Sequence, residues 1–364
     1  MWLRMRAFTL KATDKKTGQS TGLFFSKSIQ NDTITAWFGA LCFFLSTIEY
    51  MIPKPLPFLR LGLANIPILL AIDILPLPAY SVLVLLKILG QGLIGGTLFS
   101  YIFLFSAAGS ISSALAMLVL KKIFRSHVSW IGISVAGAFT SNFAQLFLAR
   151  YYIFGESAWV IMPIFVAVGT ITGVLLGIFA NLFTKKSDWY ADLRNGNIAL
   201  IGPKMVKKTN TAKINRPYRM ILGLILIITL LFVDNLLARC VIVLLSVILV
   251  LSDSSKIKPL PAILMSVSIV LFNLFVPFGK ILAEPFGLPI TEGAIFLGIK
   301  KTLIIEGMVF ISKWMLKDGL TLPGKIGTLV SQAFDILGSL SANRKKLDPK
   351  NLIHSIDEIM YGRD

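Results

Sequence analysis

The chain has 364 residues, of which 55% are hydrophobic and only 15% are charged. A soluble domain carries roughly 25% charged residues, so this composition excludes an ordinary soluble protein. In a soluble protein the net charge of +18 would indicate nucleic acid. Here the basic residues lie between long apolar runs, which is the positive-inside pattern of membrane proteins. We therefore expect a lipid bilayer as the surroundings and no nucleic-acid partner.

Six apolar runs follow a polar, basic stretch at residues 1–32, which is predicted to be a cytoplasmic tail. The runs cover about 34–52, 61–76, 79–96, 99–120, 128–149 and 158–184. A bilayer core about 30 Å thick needs about 20 apolar residues in a helix, and most of these runs come near that length. Residues 33–184 are therefore predicted to form one transmembrane domain of six helices.

A basic linker at 185–218 separates this domain from a second one at 219–340, and a tail covers 341–364. Apolar runs in the second domain cover about 220–233, 236–252, 260–278 and 294–316, which brings the total to about ten spans. If the N-terminus is inside and each run crosses once, the most basic segments all fall inside. This pattern predicts an all-α, multi-pass protein of the cytoplasmic membrane with both termini in the cytoplasm.

Several polar side chains interrupt the predicted spans. An ionisable group at the centre of a membrane helix costs about 2.5–3.5 kcal/mol, so it needs a partner or a function. Lys87 lies mid-span with Gln91 one turn later, and Asn142 and Gln145 also share a helix face. Lys87 is predicted either to line a cavity or to pair with an acid, Glu49 or Asp73. For Asn142 and Gln145 the alternatives are substrate contact and hydrogen bonds between helices.

Glu49 and Arg60 flank a turn that contains Pro53, Pro55 and Pro57. This arrangement predicts a lid over an outward-facing pocket, with two solvated interfacial charges as the alternative. Small residues are also spaced for close helix contact. The GxxxG pairs are Gly92 with Gly96 and Gly173 with Gly177, and they predict a compact bundle.

Patterns typical of catalysis are not found. Gly319–Lys325 fits the first seven positions of a P-loop, but Ile326 replaces the Ser or Thr that would reach Mg²⁺. The two histidines, His127 and His354, are far apart, which argues against a histidine metal site. The sequence contains neither an Asp-rich pair for prenyl diphosphate chemistry nor a Ser/His/Asp set. We therefore expect no enzyme activity and no cofactor.

The stretch Glu49–Leu70, with the run LGLAN at 61–65, resembles the family named heptaprenyl diphosphate synthase component I, also called the Gx transporter family. The resemblance extends over about residues 35–184. That family is similar to the substrate-binding S components of energy-coupling factor (ECF) transporters, which are six-helix membrane proteins that take vitamins and related small molecules. Residues 217–340 more weakly resemble the T component, chiefly at 286–293. The resemblance implies an S-like bundle fused to a T-like helical domain.

The function implied is movement of a small organic molecule across the membrane, with flavin as one candidate substrate. The predicted substrate-binding residues are Glu49, Arg60 and Asn65 at the entrance and Lys87, Gln91, Asn142 and Gln145 in the pocket. Lys87 would suit an anionic group. ECF-type ATPase subunits or a membrane electron-transfer complex are the implied protein partners. Two alternatives are a non-catalytic membrane subunit of a heptaprenyl or polyprenyl diphosphate synthase and a scaffold of a membrane redox complex.

Overall fold

The structure is a computed structural model. It describes residues 18–51, 61–196, 217–253, 259–287, 289–317, 322–342 and 351–361. These residues form thirteen α-helices and one two-stranded antiparallel sheet, so the all-α class predicted from the sequence is confirmed. Four stretches of the described residues are long and apolar enough to cross a membrane: Gln30–Met51, Leu77–Gly95, Tyr101–Phe124 and Trp130–Lys186. The predicted number of ten spans stays a prediction.

Seven helices belong to the N-terminal half. They are α1 (Gly18–Met51), α2 (Ile66–Ala71), α3 (Leu77–Gly95), α4 (Tyr101–Phe124), α5 (Trp130–Ala149), α6 (Ala158–Lys186) and α7 (Asp188–Asn195). A π-helical turn at Arg150–Phe154 and a 3₁₀ turn at Gly155–Ser157 join α5 to α6. Helices α1 and α3 pack together, and α4, α5 and α6 pack in succession. We call α1 to α7 the N-terminal bundle.

The predicted span at 61–76 is not one continuous helix. It contains a 3₁₀ turn at Leu63–Asn65, the six-residue α2 and then further turns. At 1.5 Å per residue α2 is about 9 Å long, which is far short of a 30 Å bilayer core. Gly62 precedes the 3₁₀ turn with a φ of 81°, a left-handed conformation that glycine adopts without strain. Pro76 is the N-cap residue of α3.

This irregular segment nevertheless joins the two ends of the bundle. Near its start, the Leu61 amide donates to Glu49 Oε1 at 3.0 Å, close to the end of α1. Near its end, Asp73 pairs with Lys121 at 3.1 Å, in the last turn of α4. The segment therefore runs from the end of α1 to the end of α4 without forming a regular second helix.

Helices α5 and α6 approach each other through glycines, as the GxxxG spacing predicted. A Cβ added to Gly173 would lie 2.9 Å from Val135 Cα, and one added to Gly177 would lie 2.5 Å from Ile131 Cα. Both obstacles are backbone atoms that cannot move aside. Close packing of this kind between membrane helices relies on small residues at the contact.

The N-terminal bundle extends beyond the predicted boundary at residue 184. Helix α7, which was predicted to be part of the linker, buries Trp189 completely, and that ring meets Phe38 edge-on at 5.7 Å. Tyr190 and Leu193 are also buried. Ser187 caps the helix by accepting from the Tyr190 amide at 3.0 Å. The charged residues around this short apolar stripe made it resemble a linker.

The second group of helices is α8 (Pro217–Phe232), α9 (Leu236–Ser252), α10 (Pro259–Asn273) and α11 (Glu292–Leu316), with strands β1 (Ile281–Ala283) and β2 (Ile290–Thr291) between the last two. Helix α11 packs against each of the other three, and we call these four helices the second bundle. Helices α8, α9 and α10 have only 15 to 17 residues each. They are apolar, but they are shorter than a typical spanning helix.

The two C-terminal helices, α12 (Gly324–Ala342) and α13 (Leu352–Tyr361), pack on the N-terminal bundle. Lys325 pairs with Asp32 of α1 at 2.8 Å, and Phe334 meets Phe43 with ring centroids 4.8 Å apart. Ala333 is fully buried at this contact. The amphipathic segment at the end of the predicted second domain thus completes the core of the first.

The two bundles touch near the turn between α3 and α4. The Phe99 amide donates to Ser312 Oγ of α11 at 3.1 Å, and Phe154 meets Phe272 of α10 edge-on at 5.7 Å. In the predicted membrane topology, residues 96–99 lie on the outer side and Lys317 lies on the cytoplasmic side, so the whole bilayer separates them. Ser312 lies only about 7.5 Å of helix before Lys317, so this contact does not reproduce that topology. The orientation of both termini therefore stays a prediction.

Candidate binding cavity in the N-terminal bundle

A polar cavity lies between α1, the segment 61–69 and helices α3 to α6. Its empty volume, which includes space open to solvent, is about 600 Å³. Twelve of the twenty described lining residues carry polar side chains: Glu49, Asn65, Lys87, Gln91, Ser106, Ser110, Ser113, Ser134, Ser141, Asn142, Gln145 and Thr172. Leucine, isoleucine, alanine, methionine and glycine supply the rest.

The cavity brings together six of the seven predicted substrate-binding residues. These are Glu49, Asn65, Lys87, Gln91, Asn142 and Gln145. The seventh, Arg60, lies outside the described residues, as do Pro53, Pro55 and Pro57 of the predicted lid. Glu49 is only 3% exposed, so it is not the solvated interfacial charge of the alternative interpretation. Its role in binding a substrate stays a prediction.

Lys87 is positioned by residues on two other elements. Its amine donates to Asn65 Oδ1 on the irregular segment and to Ser110 Oγ on α4, the latter at 3.0 Å. Asp73, one of the acids considered as its partner, pairs with Lys121 instead. The Lys87 side chain is 3% exposed in the middle of α3. Lys87 thus lines the cavity, with hydrogen bonds to the side chains of Asn65 and Ser110.

Besides Asn65, three amide side chains of the cavity differ in how completely they are hydrogen-bonded. Gln91 Oε1 accepts from Ser106 Oγ at 3.0 Å. Asn142 Nδ2 donates to the Phe165 carbonyl of α6 at 2.8 Å, which is the interhelical bond considered for this residue. Gln145 Nε2 donates to Ser141 Oγ at 2.9 Å, but Gln145 Oε1 has no partner among the described residues.

Sequence reasoning missed the hydroxyl groups of the cavity. Ser106, Ser110 and Ser113 follow one another at intervals of four and three residues, which places all three on one face of α4. That spacing is visible in the sequence. It was overlooked because serine costs little in a membrane helix, where it often bonds to the preceding turn of its own backbone.

Two glycines make room for the amide side chains. A Cβ on Gly109 of α4 would lie 2.4 Å from Gln145 Nε2, and a Cβ on Gly169 of α6 would lie 2.2 Å from Asn142 Nδ2. Both distances are well below any normal contact. The positions of Gln145 and Asn142 therefore depend on the absence of a side chain on the facing helix.

Among the described residues, the lining carries one basic and one acidic side chain, Lys87 and Glu49. All other polar lining groups are amides or hydroxyls, which donate and accept hydrogen bonds without charge. Among the described residues there is no group of three or more His, Cys, Asp or Glu side chains that could hold a metal ion. The donor set suits recognition of a polar organic molecule.

The comparison with known families concerns both halves of the chain. Residues 38–183 match the family described as heptaprenyl diphosphate synthase component I. The resemblance inferred from Glu49–Leu70 is therefore confirmed, and every residue of the cavity lies within the matched range. Residues 215–318, which include the second bundle, match a family described only as a domain of unknown function. No curated protein and no solved structure matches the chain significantly.

Proposed function

We propose that the N-terminal bundle binds a small polar organic molecule in its cavity and that the chain moves this molecule across the cytoplasmic membrane. One observation supports the proposal: six polar side chains, from different parts of residues 49–145, line the same cavity. Intramembrane ionisable groups are expensive to bury and commonly mark substrate pathways. A purely structural bundle would be more stable with apolar residues at these positions.

The transport proposal follows from the resemblance to ECF-type components. In this proposal the N-terminal bundle acts as the S-like binding unit and the second bundle as the T-like unit. Flavin or another vitamin-like compound is the expected substrate, and ATPase subunits of the ECF type or a membrane electron-transfer complex are the expected partners. The bundle contact through Phe99 and Ser312 supports a physical connection between the two units.

The family description favours a second function. A match to heptaprenyl diphosphate synthase component I supports a non-catalytic membrane subunit that assists a separate, soluble prenyl synthase. Under this proposal the chain would raise the activity of its partner and would carry out no chemistry itself. The name favours this function, whereas the polar lining of the cavity favours small-molecule binding.

The first experiment is mass spectrometry, with visible absorbance, on molecules extracted from the purified, detergent-solubilised chain. Binding of a small polar molecule predicts close to one such molecule per chain in the wild type and a strong loss in Lys87→Met. Thr170→Val is a matched control because Thr170 lies exposed on α6, outside the cavity lining, and its hydroxyl donates to the Val166 carbonyl of its own helix.

The second function predicts a different result from the same preparation. A soluble prenyl synthase would co-purify, its activity would rise when the chain is added, and the extract would contain no stoichiometric small polar molecule. Equal ligand content in the wild type and in Lys87→Met would contradict the proposed cavity site even if a ligand is present.

A further inference from the structure

Two buried polar atoms of the cavity lack a hydrogen-bond partner among the described residues. They are Gln145 Oε1 and Ser113 Oγ, and both side chains are only 1% exposed. A buried acceptor without a partner costs about 1–3 kcal/mol. Both residues line the cavity, so a molecule bound there would reach them. The unpaired Gln145 oxygen requires a donor, either an N–H or an O–H group.

The Lys87 amine and the Gln145 amide lie close to the same turn of α4. Ser110 Oγ accepts from Lys87 Nζ at 3.0 Å, and the neighbouring Gly109 faces the Gln145 amide. The two groups therefore have opposite hydrogen-bonding roles at adjacent positions. The Lys87 ammonium, which already bonds to Asn65 and Ser110, only donates, and the Gln145 oxygen, which has no partner among the described residues, only accepts. One compact molecule with an acceptor and a donor close together would match both roles.

The charges of the lining limit the net charge of that molecule. Lys87 contributes one positive charge, and Glu49 contributes an acid in the same cavity. A diphosphate normally requires several cations or Mg²⁺ held by carboxylates. The described part of the lining, with one lysine and one acid, does not provide this. The twelve polar lining residues are also poor surroundings for a long isoprenoid chain.

From these three observations we infer that the cavity selects a compact, uncharged or singly charged molecule that accepts a hydrogen bond from Lys87 and donates one to Gln145 Oε1. Gln145 is then a residue that determines specificity. Ring systems in which an N–H lies beside a carbonyl group, such as cyclic amides and imides, have this combination. The inference rests on the proposed small-molecule function and narrows its substrate class.

The test compares two probes that differ by a single donor. Riboflavin carries an imide N–H between two carbonyl groups, and 3-methylriboflavin has a methyl group in place of that hydrogen. Affinities for the purified full-length chain are measured by fluorescence quenching in the wild type, in Gln145→Leu and in the Thr170→Val control. Farnesyl diphosphate is added as a competitor that carries several negative charges.

The inference predicts that the wild type and Thr170→Val bind riboflavin about tenfold or more tightly than its methylated analogue, as expected for one well-placed hydrogen bond. This preference should disappear in Gln145→Leu, and farnesyl diphosphate should not compete. Equal affinity of the wild type for both flavins, or a preference retained in Gln145→Leu, would overturn the role of Gln145 while leaving small-molecule binding intact. Binding of farnesyl diphosphate alone, or of none of the three probes, would overturn the inferred substrate class and count against the proposed transport function.

Discussion

The two bundles accommodate buried polar groups in different ways. In the N-terminal bundle these groups lie in the middle of helices and face a shared cavity, where Gln145 Oε1 remains unpaired among the described residues. In the second bundle the strongest ionic contacts lie at helix ends. Arg219, near the start of α8, donates to both carboxylate oxygens of Asp253 after α9, at 2.7 and 3.0 Å.

The contacts around Arg219 are both ionic and aromatic. Its guanidinium lies 5.5 Å from the Trp314 ring, and Lys317 also approaches Asp253 at 3.5 Å. Bidentate arginine–carboxylate pairs are among the strongest hydrogen-bonded contacts in proteins. Even the mid-helix Glu306 accepts from Ser266, at 3.5 Å. Ion pairs at helix ends therefore hold the second bundle together, whereas our proposal assigns the cavity side chains of the N-terminal bundle to ligand binding.

Gly177→Leu should give the largest effect because it attacks the packing that the cavity depends on. The new Cβ would lie 2.5 Å from Ile131 Cα, a backbone atom, so α5 and α6 must separate. Overpacking of this kind costs about 1–3 kcal/mol and more where the backbone is the obstacle. We expect a clearly lower melting temperature in detergent and loss of ligand binding.

The control for this substitution is Gly338→Ala on α12, where an added Cβ meets nothing within 4 Å. Alanine is favoured over glycine inside a helix by up to about 1 kcal/mol, so stability should stay the same or rise slightly. A Gly177→Leu protein as stable as the wild type would show that the close α5–α6 contact is not needed.

Much of the N-terminal half could be predicted from the sequence. Long apolar runs gave α1, α3, α4, α5 and α6, because a helix must satisfy its own backbone in a bilayer. Mid-span polar residues such as Lys87 and Gln145 identified the cavity, since such groups are too costly to keep without a partner or a function. Their sequence positions alone did not show which of them share one cavity.

Other features depend on tertiary contacts that a local sequence pattern does not show. The run at 61–76 has the hydropathy of a span, yet only Ile66–Ala71 form an α-helix, between a 3₁₀ turn and further turns. Helix α7 has a polar sequence, but its Trp189 side chain is fully buried and packs against Phe38. The packing of α12 on α1 joins residues almost 300 positions apart, such as Lys325 and Asp32.

Asp253→Asn should weaken the second bundle and leave the cavity unaffected. The substitution removes the negative charge that Arg219, 5% exposed, and Lys317 share. Loss of a hydrogen bond to a charged group costs about 1.5–3 kcal/mol. We expect faster hydrogen exchange in α8 and α9, measured by mass spectrometry, with unchanged ligand affinity. Asp234→Asn is the matched control, because the Asp234 side chain is 95% exposed.

The same contact predicts a pH dependence. Burial tends to raise the pKa of Asp253, but the hydrogen bond and charge of Arg219 together with Lys317 outweigh it, so the pKa lies below its ordinary value. A lowered native pKa means that the stabilisation is complete above the ordinary value and is lost as the pH falls through the native one. If hydrogen exchange in α8 is the same in the wild type and in Asp253→Asn at every acidic pH, this assignment is wrong.

Gly109→Ala should affect binding more than stability. The added Cβ would lie 2.4 Å from Gln145 Nε2 and 2.7 Å from Ser141 Oγ, so the Gln145 amide must rotate or shift. The obstacles are side-chain atoms, which move more easily than backbone. We expect about a tenfold loss of ligand affinity, which corresponds to about 1.4 kcal/mol. A melting temperature that falls as far as in Gly177→Leu would show that Gly109 serves packing instead.

The smallest expected effect is at Asp357, which holds α13 on the N-terminal bundle. Its carboxylate accepts from Ser187 Oγ at 2.6 Å and from the Asp188 amide at 2.8 Å, at the start of α7. Burial raises the pKa of Asp357, although these hydrogen bonds and that of the Trp189 amide oppose the rise. A raised native pKa means that α13 docks most firmly when Asp357 is protonated and loosens as the pH rises through that pKa.

Asp357→Asn keeps the shape of the side chain and removes its titration, so it should abolish this pH dependence. We expect a difference below about 1 kcal/mol, measured as protease cleavage or hydrogen exchange of residues 352–361 between about pH 4 and pH 7. Ligand affinity should not change, because Asp357 lies outside the cavity lining. If α13 loosens equally with rising pH in the wild type and in the variant, another group controls its docking. If ligand affinity follows the same pH dependence, the docking of α13 is coupled to the cavity. The C-terminal helix would then affect ligand binding as well as the stability of the N-terminal bundle.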